Sequence, residues 1–169
     1  INKSLAKNPC RRHVTPEAVS YTGLILGNEG TNGHIAIPSY HFENAKATVS
    51  IGADFLGTWL SPVEFARQYA KGKKLDEKNP VMSKHIHFES VASLTGSNAD
   101  EKYLHRPSET AAIVTALLSA VNGQGAAGIN DAKLKTGIEK AAKALTETKG
   151  ADLVVSGSND VNIQLAVNA

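Results

Sequence analysis

Two periods of apolar and polar residues interleave along this chain. Thr48-Val49-Ser50-Ile51 is a β-branched run, and Lys84-His85-Ile86-His87-Phe88-Glu89 alternates polar with apolar, the period-two pattern of a strand. Asp152-Leu153-Val154-Val155-Ser156 is apolar on both faces, as in a buried parallel strand, and Lys102-Tyr103-Leu104-His105-Arg106 reads as a short strand ending at Pro107. Between these runs the period lengthens to that of a helix. Ala18, Val19, Thr22, Ile25 and Leu26 form a stripe over about Pro16 to Asn28, and Ile113, Val114, Leu117, Leu118 and Val121 form another over Ser108 to Asn122. Leu134, Ile138, Ala141, Ala142 and Leu145 place a third on one face of Asp131 to Lys149, and Asp160 to Ala169 starts a closing helix. Strand, turn and helix recur. The pattern predicts a single α/β domain of three layers, with a mostly parallel, Rossmann-like sheet and right-handed crossovers.

The ends of the helices carry their own signals. Ser61-Pro62-Val63-Glu64 combines a capping serine, a proline suited to the first helical position and an acid placed to return a bond to the cap amide. Thr15-Pro16-Glu17 repeats the signature, and Ser108 with Glu109 opens the helix after Pro107. Gly27-Asn28-Glu29-Gly30-Thr31-Asn32-Gly33 looks at first like a phosphate-cradling loop. It follows a helix rather than a strand, however, and lacks a Gly-Lys-Ser/Thr ending, so a helix stop followed by a turn is the better reading. Ile1 to about Arg11 is unpatterned, and Arg11-Arg12-His13-Val14 is a short strand or the lead-in to one.

Composition narrows the function classes. The 169 residues, 41% of them hydrophobic, suffice for one core of ordinary size. A charge of +2 from 18 basic and 16 acidic residues, scattered along the chain, supplies no basic stripe for nucleic acid. The single cysteine, Cys10, excludes an internal disulfide and any iron–sulfur or zinc site built from this chain's thiolates. No apolar run reaches the roughly 20 residues of a membrane span. The sequence begins at Ile1 and ends within a helical pattern, as an excised piece of a longer protein would.

In a parallel sheet, ligands bind beyond the carboxyl ends of the strands. The candidates there are Gly52 and Asp54 in the turn after the first strand, Glu89 at the end of the second, Thr95 in the turn-rich stretch Val91 to Asp100, and Ser108 and Glu109 before a helix. Hydroxyl and amide side chains around Thr95-Gly96-Ser97-Asn98 suit ligand contact and ordinary turns equally. His85 and His87 share a strand face, but no third ligand accompanies them at metal-like spacing, so they read as structural, as do His13, His34, His41 and His105. The turn at Asp54-Phe55-Leu56, with Trp59 just beyond, either packs as core or docks against another part of a parent subunit.

Several of these motifs, taken together, resemble a known family. The succession IGADFLGTW, FESVASLT, RPSETAAIVTALLSAV and LVVSGSNDVNIQLAV is similar to the α/β domain of molybdopterin oxidoreductases that cradles one arm of a guanine-dinucleotide cofactor. HVTPEAVSYTG, IPSYHFENA and DFLGTW narrow the likeness to the molybdopterin-like, iron–sulfur subunit of alternative complex III, a quinol:electron-acceptor oxidoreductase. The resemblance spans roughly Arg12 to Ala169, and DFLGTW with RPSETAA is its specific part. It implies an electron-transport complex at the membrane, export of the parent by a twin-arginine signal to the periplasmic side, partner subunits, and iron–sulfur clusters elsewhere in the parent.

Departures from the family pattern bear on the cofactor. Ala53 or Asp54 stands where the family has a turn asparagine, Val91 where it has an arginine, and Ser108-Glu109 where it has Gly-Thr-Asp. Extra carboxylates near a dianionic pyrophosphate repel it. The resemblance therefore implies a vestigial pocket at Gly52, Asp54, Glu89, Thr95, Ser108 and Glu109, a scaffold role, and neither catalysis nor molybdopterin guanine dinucleotide in this fragment. The alternative is a competent dinucleotide-binding domain of an oxidoreductase with Glu89 on a ribose hydroxyl, although the glycine fingerprint of such domains is missing.

Overall fold

The computed structural model describes residues 19–75 and 80–169, together with Lys7. The segment Arg11-Val14, the capping signature at Thr15-Glu17 and the single Cys10 lie outside the described residues.

Four parallel strands form the sheet in the order β3-β2-β1-β4, where β1 is Ala47–Ile51, β2 Lys84–Glu89, β3 Glu101–Leu104 and β4 Asp152–Ser156. Helices cover both faces, so the fold is a three-layer, Rossmann-like α/β domain. In chain order the helices are α1 (Thr22–Asn32), α2 (Pro62–Lys73), α3 (Leu94–Asn98), α4 (Thr110–Val121), α5 (Ala132–Glu147) and α6 (Val161–Asn168). The central strands are buried on both faces, as short β-branched and aromatic runs between helices demand.

The two faces of the sheet differ. Ala47, Val49 and Ile51 of β1, with Ile86 and Phe88 of β2, point toward Ile113, Val114 and Leu117 of α4 and Leu134, Ile138 and Leu145 of α5, an aliphatic layer. The register pairs Val49 with Ile86 and Ile51 with Phe88, so these side chains stack in rows. The sequence stripe on α4 is correct at its first three positions. Leu118 is half-buried and Val121 is exposed, because the end of the helix runs beyond the sheet over an apolar groove. Leu117, 3% exposed, should cost about 2–5 kcal/mol when changed to alanine. A denaturant melt showing less than about half a kcal/mol would mean that the inward face is wrongly assigned.

On the other face Leu24 of α1, Phe65 and Tyr69 of α2, and Phe42, Phe55 and Trp59 from the connections make an aromatic layer with Val155 of β4. Phe42 stacks on Phe55 at 4.2 Å, and Tyr40 lies 5.3 Å from Trp59. Phe55 is fully buried and Trp59 is 7% exposed. Of the two readings of this turn the core one holds. The aromatics fill the space between sheet and α2, and this leaves no exposed anchor for docking.

Several expected boundaries shift, each for a local reason. Helix α1 begins at Thr22, with residues 19–21 outside it and the expected start at Pro16 outside the described residues, and it continues through Gly27 and Gly30 to Asn32, so the glycine run is helix rather than stop and turn. Its glycines face α6: a Cβ on Gly27 would come within 2.6 Å of the Gln164 Cβ, and one on Gly23 within 2.1 Å of the Asn159 carbonyl oxygen. Glycine serves close helix packing here, and only Gly33, with φ 72°, is the left-handed cap. Ser61 precedes α2 without a side-chain cap bond, and Glu64 accepts from Gln68 Nε2 at 3.3 Å instead of returning to the cap. Ser108 sits inside a single 3₁₀ turn, Pro107–Glu109, so α4 starts at Thr110. Asp131 and Asp160 do cap α5 and α6, each accepting from two backbone amides.

Candidate site at the carboxyl edge of the sheet

The loops leaving β1, β2, β3 and β4 open on one crevice of about 620 Å³. This is the edge where a parallel sheet presents ligands, and β1 and β4 flank the point at which the chain reverses direction across the sheet. Gly52, with φ 62°, turns the chain out of β1, and its amide donates to the Phe88 carbonyl at 2.8 Å. Gly157 turns out of β4 so closely that a Cβ there would lie 2.2 Å from the Gly52 carbonyl oxygen. The two glycines let both loops pass side by side.

Gly52, Asp54, Glu89 and Ser108 line the crevice. Thr95, fully buried, lies beneath Asp54, whose Oδ1 accepts from the Thr95 amide at 3.0 Å and the Thr95 hydroxyl at 2.8 Å. Glu109 does not join the lining, and its Oε2 accepts from the Arg106 amide at 2.8 Å. Val91 to Asp100 is not only turns, since α3 occupies its centre with Ser93 as the cap, Oγ accepting from the Gly96 amide at 2.9 Å. Glu89, 2% exposed, accepts on Oε2 from the Ser93 amide at 3.0 Å and the Ser93 hydroxyl at 2.7 Å. Gly96 is required beside it, because a Cβ would fall 2.3 Å from that same oxygen.

Sequence reasoning passed over the polar row behind this edge. Ser50 of β1 pairs in register with His87 of β2, and its Oγ lies 2.7 Å from His85 Nε2 and 2.6 Å from His87 Nδ1. Tyr69 OH lies 3.1 Å from His85 Nδ1 and 3.0 Å from the Asn98 carbonyl, and His87 Nε2 stands 3.4 Å from Glu89 Oε2. The result is a continuous buried chain, Tyr69, His85, Ser50, His87, Glu89. Burial, with His87 and Lys73 adding to it, pulls the His85 imidazole down to about 3, so that ring is neutral with one N–H. Burial also lowers His87, against the pull of Glu89 and Asp54. A hydroxyl has one proton, so Ser50 donates to one ring and accepts from the other.

Two polarities satisfy the row. In one, Tyr69 donates to Asn98 and every proton points away from the crevice, leaving His87 Nε2 without a proton of its own, 3.4 Å from the Ser93 hydroxyl. In the other the protons point toward it, and His87 Nε2–H faces the Glu89 carboxylate. The arrangement can therefore relay a proton over its length by reversing direction, without any heavy atom moving far. Ser50→Ala removes the shared bridge and leaves two buried ring nitrogens unpaired. It should destabilise the chain by about 1–3 kcal/mol, read from urea unfolding, and an unchanged midpoint would show that the rings re-pair on their own.

Among the described residues no lysine or arginine side chain lines the crevice, while Asp54, Glu89 and Asp160 do. Lys102 Nζ approaches Glu89 Oε1 to 3.4 Å, yet that oxygen has no hydrogen-bonding donor, so the contact is a charge pairing without bond geometry. Amides that would otherwise greet a phosphate are engaged within the chain: Asp160 takes those of Asn162 and Ile163, and Glu89 takes that of Ser93. These residues do not fit a pyrophosphate. Among the described residues no group of three or more histidine, cysteine, aspartate or glutamate side chains is placed to hold a metal ion. No protein-family model matches this sequence, and no curated protein matches it significantly.

Proposed function

We propose that this chain is a scaffold domain of a molybdopterin-oxidoreductase-like subunit in a membrane-associated, quinol-linked electron-transfer complex, with a vestigial cofactor crevice. The observation that carries the second half of this reading is the lining of the crevice by the described residues: three carboxylates, no lysine or arginine among them, and helix-start amides capped by the chain's own acids. A dianionic dinucleotide needs the opposite arrangement. The first half rests on the motif succession from IGADFLGTW to LVVSGSNDVNIQLAV, which takes in the turns leaving β1, β2 and β4 and the helices α4 and α6.

On this reading the domain acts on the periplasmic side, exported with its parent, and its partners are the rest of that subunit and neighbouring subunits. Iron–sulfur clusters belong to the remainder of the parent. Among the described residues no helix is long and apolar enough to cross a membrane, which suits a domain held to the complex through its partners. The competent dinucleotide-binding alternative would place a dianionic pyrophosphate beside Asp54, Glu89 and Asp160, and that repulsion favours the scaffold.

The test is metal and pterin analysis of the intact parent protein purified from its source. Molybdenum and tungsten well below stoichiometric amounts, with no extractable pterin, are expected. Either metal at one equivalent together with pterin would overturn the proposal.

A further inference from the structure

The crevice that suits a pyrophosphate poorly has the makings of a site for the opposite charge. We propose that it binds a small organic cation bearing N–H donors, an alkylammonium or guanidinium group, against His105, Glu89 and Asp160. This rests on the crevice lining and not on the electron-transfer reading, so either can fail alone.

His105 is the observation that points to a ligand. It follows β3 and lines the crevice, it is 9% exposed, and its Nε2 is buried without a partner among the described residues. The other ring nitrogen, Nδ1, lies 2.8 Å from the Arg106 carbonyl, which can only accept, so Nδ1 carries the proton. With the proton of a singly protonated ring on Nδ1, Nε2 is an acceptor awaiting a donor. Glu89 ends the neighbouring strand, where the His105 amide donates to the Glu89 carbonyl at 3.0 Å, and Glu89 Oε1 is a second buried acceptor with no hydrogen-bond donor among the described residues. Two buried acceptors at the ends of adjacent strands lack a hydrogen-bond donor among the described residues, the carboxylate one being ion-paired with Lys102, and they suit a partner rich in N–H groups.

Charge and size agree. Asp54, Glu89 and Asp160 bring negative charge to the lining, and the nearest cation, Lys102, reaches Glu89 Oε1 at 3.4 Å from the neighbouring cavity that it lines. The serine and threonine hydroxyls of Ser90, Ser93, Ser108 and Thr110 complete a polar wall that both donates and accepts. About 620 Å³ is within the usual range of small-molecule pockets.

Isotope-labelled full-length chain titrated with agmatine, which carries both a guanidinium and an ammonium group, provides the test. The His105 imidazole carbon and proton resonances and the Gly52 and Ser158 amides should shift saturably. Asp160→Asn keeps the cap of α6, because asparagine serves there as well as aspartate, and should weaken agmatine by about tenfold with the fold unchanged. Glu89→Gln should weaken it too. An absence of saturable shifts with agmatine would overturn the proposal, as would wild-type affinity in both variants. So would equal saturation of the same resonances by magnesium chloride, since the carboxylates would then be holding a metal ion.

Discussion

Trp59→Ala is expected to destabilise the isolated chain by about 3–5 kcal/mol, the usual cost of emptying a buried aromatic site. The indole is 7% exposed, it lies 5.3 Å from the Tyr40 ring and 6.1 Å from Phe65, and it closes the aromatic layer over β4. The loop that bears it is pinned from beneath, because the Asp54 carbonyl accepts from the amides of Gly57, Thr58 and Trp59. Neither the ring nor the backbone has an easy way to close the hole. Urea unfolding measures the effect, and a loss below about 1 kcal/mol would return the tryptophan to the surface and reopen the idea of a docking loop.

Acid is expected to destabilise the chain through His85. Its imidazole is pulled from 6.5 to about 3 in the folded state, first by burial and then by the nearby His87 and Lys73, with Asp100 opposing. Between those two values the unfolded chain binds more protons than the folded one, so stability falls as pH is lowered through that window. The loss is on the order of 3–5 kcal/mol if the whole shift is expressed. Glu101 acts lower down. A hydrogen bond from Lys140, then one from Tyr103, holds its carboxyl at about 2 against an ordinary 4.5, so its contribution is present above 4.5 and is lost as pH falls toward 2. Unfolding midpoints compared at about pH 7 and about pH 4 read the buried histidines, His87 together with His85, and His85→Gln should reduce the difference. Equal pH slopes in both proteins would show that the imidazole is not the group responsible.

The strands were legible because their patterns answer to burial alone. Lys84–Glu89 and Asp152–Ser156 form as read, and β1 adds only Ala47 to its predicted run. Glycine misled the reading of α1, since a residue that ends helices also lets two helices touch, and only the presence of Gln164 and Asn159 opposite distinguishes the cases. Asp131 and Asp160, read only as the starts of helical stretches, do cap them with two amides each. The expected caps failed at Ser61 and Ser108, whose preceding backbone leads in by another route.

The site was half legible for a related reason. Gly52, Asp54, Glu89 and Ser108 meet at the carboxyl edge as parallel topology requires. The row Ser50, His85 and His87 was not foreseen as a unit, because polar residues alternating along a strand suggest a wet face, and here that face lies under α2 and its aromatic neighbours. A serine in the register row of one histidine and one step from the other was the available signal. His105 was set aside for want of metal-like spacing, a criterion that does not address a lone unpaired acceptor.

The measurement that bears most directly on the central claim, a crevice unsuited to nucleotide pyrophosphate, is an amide-resolved titration of the full chain with GDP. Gly52, Ser93, Ser108 and Ser158 line the crevice and report on it. The account predicts no saturable shift at these positions up to millimolar nucleotide, whereas saturation with a dissociation constant well below millimolar would contradict it.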